Sequence, residues 1–331
     1  MRRIIAGCCL IFMVILAGCT KGQENKEPQL VLRYADNQPE NYPTTKAAHY
    51  FASLVKERTE GAIEVSVFSN GELGSENSVL EQIQFGGVDF SRFSLGTLSN
   101  VDSKIGVLQM PYLYRDSDHM WRVLDGGIGN MFLSGFMMFN GIGLCWFDAG
   151  ARSFYTRKPV KRLEDLQGMT IRVMENEQIA SIMRKIGIIP VQLPYSDVYS
   201  SLRMMTVDGA ENNMPSYVIM GHTDVAPYFF ADEHLRLPEV LVMSVAAQQK
   251  IQKVDPAFVD VVKACAKETG LYQRKQWKQA EAEALSAMQE AGCIITWPDE
   301  TELAKFKKAM QSAPTGYTDE DLALIRRIQS E

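Results

Sequence analysis

Three short stretches of this chain carry side chains whose types suit the capture of an anion. Arg172 lies in Met169-Thr170-Ile171-Arg172-Val173-Met174, between β-branched apolar residues in what reads as a well-covered strand. A guanidinium there is costly unless it meets an anion, which is either a ligand or an acid of the protein itself. Its planar fork can bond both oxygens of a carboxylate, and a lysine ammonium cannot reproduce that geometry. Arg152 lies in Asp148-Ala149-Gly150-Ala151-Arg152-Ser153-Phe154, at a suspected crossing between two domains, where it is either a cleft residue or a solvated linker arginine. Asn212 lies in Val207-Asp208-Gly209-Ala210-Glu211-Asn212-Asn213-Met214-Pro215-Ser216 and offers a donor and acceptors to hydroxyls or a carboxylate. Taken alone, that stretch reads as a turn.

Chemistry of other kinds leaves little trace. There is no HExxH pair, no glycine-rich phosphate loop ending in Lys-Ser/Thr, no GxSxG elbow and no CxxC pair. His49, His119, His222 and His234 are scattered and read as packed or surface histidines. Forty acidic residues leave room for a glycosidase-type carboxylate pair, but nothing in their spacing points to one. The formal net charge of −6 argues against nucleic acid as a partner, so an anionic ligand would need a local basic site.

The first residues are of a different character. Arg2 and Arg3 begin an apolar run from Ile4 to Leu16, which reads as a secretory signal over residues 1–18. Leu16-Ala17-Gly18-Cys19 resembles the bacterial lipobox, in which the cysteine is acylated after cleavage. Cys19 is therefore expected to carry a lipid anchor, and two acyl chains at about 0.8 kcal/mol per buried methylene hold a protein stably at a membrane. Residues 19–29 read as a flexible polar tether. Loss of Arg2 and Arg3, with no acid in the removed segment, takes the charge from −6 to −8. Of six cysteines, only Cys145, Cys265 and Cys293 remain for the fold, an odd number that argues against a disulfide framework.

The elements that must position these residues alternate. Strands are expected at Leu30 to Ala35, Ile63 to Phe68 and Val88 to Ser94, with helices at Thr44 to Thr59 and about Ser75 to Phe85. A second series runs from Gly141: an apolar segment to Phe147, a strand Met169 to Met174, a helix from about Glu177 to Ile186, another short strand and a helix from Ser196 to Met205. The pattern predicts an α/β protein with two mostly parallel sheets. The first domain is expected to comprise 30–149 plus about 238–277, and the second 150–237 plus about 278–331. The stretch Asp255 to about Ala291 is either one helix, roughly 55 Å long at about 1.5 Å per residue and spanning both domains, or two helices broken at Gly270.

Together, Gly-Ala-Arg152, Ile-Arg172-Val and Asp-Gly-Ala-Glu-Asn212, with Ser196-Asp197-Val198-Tyr199 between, resemble the solute-binding proteins of tripartite ATP-independent periplasmic (TRAP) transporters, the DctP-type family. The likeness runs from about Leu30 to the end of the chain and includes Gly71-Glu72-Leu73-Gly74 and Met110-Pro111-Tyr112-Leu113. It implies a periplasmic-binding-protein fold of two α/β domains joined by hinge strands, with a long helix across both. It also implies that Arg172 forms the two-pronged bridge to a substrate carboxylate, with Arg152 as the second arginine and Asn212 completing the clamp. Tyr195 stands where many members place a phenylalanine against the ligand, and Glu76 matches a position that faces the cleft from the first domain. The form of Glu211 to Ser216, with Asp232-Glu233-His234 downstream, looks more like the members that bind sugar acids such as glucuronate and galacturonate. By this resemblance the protein is no enzyme, uses no cofactor or metal, and hands its solute as a monomer to membrane permease subunits on the extracytoplasmic side. The competing readings are a sugar-binding lipoprotein of an ATP-driven importer and a secreted carbohydrate-active enzyme. The first would favour stacked tryptophans, of which the chain has only Trp121, Trp146, Trp277 and Trp297.

Overall fold

The computed structural model describes residues 27–311 and 317–331. The expected signal, Cys19 and the tether as far as residue 26 lie outside the described residues. Strand β1 (Leu30–Ala35) leads through the helix Pro43–Arg58 to β2 (Ile63–Phe68), which pairs with it in parallel. The helix Glu76–Phe85 then carries the chain to β3 (Phe90–Ser94), parallel to β1 on its other side. These are the elements that local pattern predicted, with Pro43 at the first helical turn and Ser75 capping the second helix through its hydroxyl. With β4 (Gly141–Phe147) and β10 (Glu239–Ser244) they form a five-stranded sheet in the order β2-β1-β3-β10-β4.

The second sheet holds β5 (Ala151–Thr156), β6 (Thr170–Val173), β7 (Ile189–Gln192), β8 (Gly209–Asn212), β9 (Tyr228–Arg236) and β11 (Ile294–Thr296) in the order β11-β9-β5-β8-β6-β7. Both sheets are mixed, which corrects the expectation of mostly parallel pairing. Every antiparallel pair involves β10 or β5. Each of these strands enters directly from the other sheet, β5 from β4 across residues 148–150 and β10 from β9 across residues 237–238, so no crossover helix imposes parallel direction. The stretch around Asn212 is likewise a strand and not a turn: β8 is wedged between β5 and β6, and Asn213 caps the following helix Met214–Ile219 by accepting from the Ser216 amide.

The long helix is continuous from Phe258 to Glu290, 33 residues. Gly270 does not break it. A Cβ there would lie 3.2 Å from the Trp146 carbonyl oxygen and 3.4 Å from Cys145 Cβ, so glycine permits the helix to sit directly on β4. One turn on, the Gln273 amide accepts from the Asp148 N–H at 2.7 Å and donates to its carbonyl at 2.8 Å, tying the crossing strand to the helix. Trp277, fully buried, meets Tyr42 edge-on at 5.9 Å beside the same crossing. The last helix, Asp319–Ser330, turns back to the first half, where Arg115 donates to the Gln329 carbonyl and His119 Nε2 to that of Ile328, each at 2.8 Å. These bonds satisfy carbonyls at its C-terminal end. Cys145, Cys265 and Cys293 are all free thiols.

If packing rather than helix breaking explains Gly270, Gly270→Leu destabilises the protein by about 1–3 kcal/mol through overpacking, although leucine is the better helix former by up to about 1 kcal/mol. Urea denaturation reads the sign, and a stabilised variant would contradict the close approach.

Candidate functional site

A cavity of about 310 Å³ lies between the sheets, lined from the first half by Asn37, Glu76, Arg92 and Glu239 among others, and from the second by Arg152, Arg172, Tyr195 and Asn212. All five side chains singled out from the sequence as ligand contacts therefore meet at one cleft. Arg172 reaches it from β6, which is covered by β7 and β8, and the residue is only 3 % exposed. Its Nε and Nη2 donate to the Leu193 carbonyl at 3.0 and 2.6 Å. No carboxylate lies within ion-pair distance of it among the described residues, which leaves Nη1 and part of Nη2 without a protein acceptor. Burial pulls its pKa below the ordinary guanidinium value, Glu211 and Tyr155 oppose this, and Arg152 adds to it.

Arg152, on β5 two strands away, has a different electrostatic setting. Its Nη2 donates to Glu211 Oε1 at 2.9 Å and to the Glu211 carbonyl at 2.8 Å, its Nε donates to Oε2, and its Nη1 donates to Asn212 Oδ1 at 2.8 Å. Burial works against its charge and Glu211 more than compensates, so its pKa is raised. Asn212 Oδ1 also accepts from the Asn213 amide at 2.9 Å. With the oxygen doubly engaged, the amide orientation is fixed and Nδ2 keeps its donors for the cleft. Tyr195 opens the short 3₁₀ turn Tyr195–Asp197, and its buried hydroxyl lies near Ser216 without closing a hydrogen bond of ordinary geometry among the described residues.

Behind Arg152 stands a second layer. Glu211 is fully buried, and burial pushes its carboxyl up, but the charge of Arg152, the facing His234 and the hydrogen bonds from Arg152 hold it down at about 2. His234 bonds Asp232 through Nδ1 at 3.0 Å and faces Glu211 through Nε2 at 3.7 Å. Burial lowers the imidazole pKa, but Asp232 and Glu211 prevail and bring it to about 9. No histidine lines the cleft itself.

The first wall carries a network that the sequence reading missed apart from Glu76. Arg92, 2 % exposed in β3, donates to Asp36 and Glu76 at 2.9 Å, to Glu239 at 2.8 Å, and to Asn37. Glu76 lines the cleft, yet its oxygens also accept from the Ser94 amide at 2.7 Å, the Ser94 hydroxyl at 3.1 Å and the Thr97 hydroxyl at 2.9 Å. The signal for Arg92 was the one used for Arg172: Phe90-Ser91-Arg92-Phe93-Ser94 places an arginine within an apolar strand. Glu239, heading Val240-Leu241-Val242-Met243, is its acidic counterpart. The cleft is thus polarised, with cationic donors on the second wall and carboxylates around one guanidinium on the first.

His234 is charged in the fold above its unfolded value of about 6.5, so its contribution to stability is complete below that pH and is lost as pH rises through about 9. Thermal melting measured across this window is expected to decline in the wild type and to decline less steeply in His234→Gln. Equal slopes would remove His234 as a source of the dependence.

Comparison with known proteins gives the same architecture. The family described as bacterial extracellular solute-binding protein, family 7 (DctP), matches residues 34–319. A TRAP periplasmic solute-binding protein from Xanthobacter autotrophicus Py2, solved with bound β-D-galacturonate, superposes with a TM-score of 0.85 at 34% identity, covering 90% of this chain and 99% of that one. One from Pseudomonas putida F1 with bound D-glucuronate gives 0.85 at 33% identity, over 91% and 97%. A third, from Sulfurospirillum deleyianum with bound succinate, gives 0.86 at 26% identity, over 92% and 99%. With the two-sheet fold and the interdomain cleft already in place, the chain belongs to the DctP family and is an extracytoplasmic solute-binding protein of the TRAP type.

Proposed function

We propose that this protein captures a hexuronate such as glucuronate or galacturonate and delivers it, as a monomer, to the membrane permease subunits of a TRAP transporter. One observation carries the reading: Arg172 is buried at the cleft with no acidic partner among the described residues. A ligand carboxylate supplies the missing charge, bonded by the free face of Arg172 and by Asn212 Nδ2, while Arg152 orients Asn212 and contributes its remaining Nη1 donor. Tyr195 packs against the solute and offers its hydroxyl. The two halves move as domains about the crossings at 148–150 and 237–238, the first comprising 30–149 with about 238–277 and the second 150–237 with about 278–331, except that the final helix travels with the first. Closure over the ligand removes water and strengthens the charged bonds. The solute-loaded closed form is what the permease accepts, with energy from an ion gradient. Residues 1–18 direct export, and Cys19 anchors the protein by lipid to the membrane.

The uronate-bound relatives and the carboxylates of the first wall favour a sugar acid, because that wall suits hydroxyls. A thermal-shift panel of the purified protein with uronates, aldonates, C4-dicarboxylates, sialic acid and the matching neutral hexoses tests this. Saturation at about a hundred times the dissociation constant adds roughly 2.7 kcal/mol, so a shift with uronates and none with hexoses is expected. A response to hexoses alone would sink the clamp. Arg172→Lys, which keeps the charge and loses the fork, should weaken uronate binding by about 2–5 kcal/mol, more than tenfold, and wild-type affinity would remove Arg172 from its role. Cell fractionation tests the anchor: Cys19→Ser should leave the membrane fraction, and retention there would refute lipidation.

A further inference from the structure

We propose that Glu239 is a specificity-determining residue of this cleft, setting the charge of the wall that meets the far end of the ligand and so selecting a hydroxyl over a second carboxylate there. The inference rests on the reading that the ligand's first carboxylate lies at Arg172. With that end fixed, the rest of the solute points toward the first wall, lined by Asn37, Glu76, Arg92 and Glu239.

Arg92 is the cation of that wall, and it is already shared by Asp36, Glu76 and Glu239. Glu76 and Asp36 are saturated differently from Glu239. Glu76 has hydroxyl and amide donors on both oxygens, and Asp36 accepts the Gln38 amide as well as Arg92. Among the described residues, Glu239 has only the Arg92 bond to Oε1, and its Oε2 is buried without a partner. A buried carboxyl with one oxygen unsatisfied, beside two other carboxylates, is the member of the cluster best able to keep a proton. Burial raises its pKa to about 8, Arg92 opposes, Glu76 and Asp36 add, and Arg152 across the cleft opposes. Tyr34 and Tyr42 complete the titratable groups that sense it.

The consequence differs by ligand chemistry. A hydroxyl both donates and accepts, so it suits the wall whether Glu239 is neutral or ionised. A carboxylate only accepts. It meets one neutral carboxyl while the proton remains, and an additional like charge once it leaves. A uronate should therefore bind with little dependence on this proton, whereas the corresponding aldarate, which carries a carboxylate at each end, should not.

Isothermal titration calorimetry of the purified protein with glucuronate and glucarate at about pH 7 and pH 9 tests this. With a titration near 8, the neutral fraction of Glu239 falls about tenfold across that interval. The glucuronate-to-glucarate affinity ratio should rise by about the same factor in the wild type and stay flat in Glu239→Gln. A constant ratio in the wild type overturns the role of Glu239 and leaves the uronate reading standing. A rise that persists in Glu239→Gln assigns the proton to another group and also overturns it. Should glucarate be too weak to measure in the wild type at pH 9, Glu239→Gln must admit it at that pH, and continued exclusion refutes the proposal. The wild-type comparison needs no variant to fold. Binding of neither acid would instead sink the hexuronate reading itself, and this inference with it.

Discussion

The cleft is organised around a guanidinium that the protein buries and does not neutralise. Removing an arginine from water costs several kcal/mol unless an anion and hydrogen bonds replace the lost solvent. Arg172 receives one carbonyl, that of Leu193, and no carboxylate. Arg152, two strands away in the same sheet, shows the alternative, with Glu211 gripping it from below and His234 and Asp232 backing Glu211. The second sheet therefore holds one arginine satisfied and one arginine waiting. The strands on both sides of β6 supply the rigidity that keeps Arg172 from relaxing toward an internal partner.

That imbalance gives meaning to the opposite wall. Arg92 is ringed by Asp36, Glu76, Glu239 and Asn37, so the first half presents acceptors where the second presents donors. On the proposed function, a solute with one carboxylate and several hydroxyls complements both faces without leaving a buried charge unpaired. The helix Phe258–Glu290 and the short crossings at 148–150 and 237–238 link the two walls. Gln273 and Gly270 hold that linkage together by close backbone contact, which ties the crossing strand to a rigid rod.

Family membership accounts for the fold and the general task, and it leaves the choice of solute to the cleft. Solved relatives of nearly equal structural similarity carry galacturonate, glucuronate or succinate. Backbone architecture is thus shared across ligand classes. Among the carboxylates around Arg92, Glu239 is the one whose state the surrounding charges leave most open.

Much of this was legible before any coordinates. Alternating apolar patterns located β1, β2 and the helix between them, because a strand or helix face is written in residues a few positions apart. The family resemblance singled out Arg152, Arg172 and Asn212, which line one cleft, and the arginine buried in an apolar strand pointed to an anion. What the sequence could not decide was which anion. Arg152 and Glu211 are 59 residues apart, and Arg92 and Glu239 are 147 apart, so only the packed sheets reveal that these arginines have acidic partners while Arg172 has none among the described residues. The same holds for β5 and β10: their direction follows from where the chain crosses between sheets, a through-space fact with no local signature. Local periodicity specifies elements, but charge compensation depends on distances that exist only once those elements are packed.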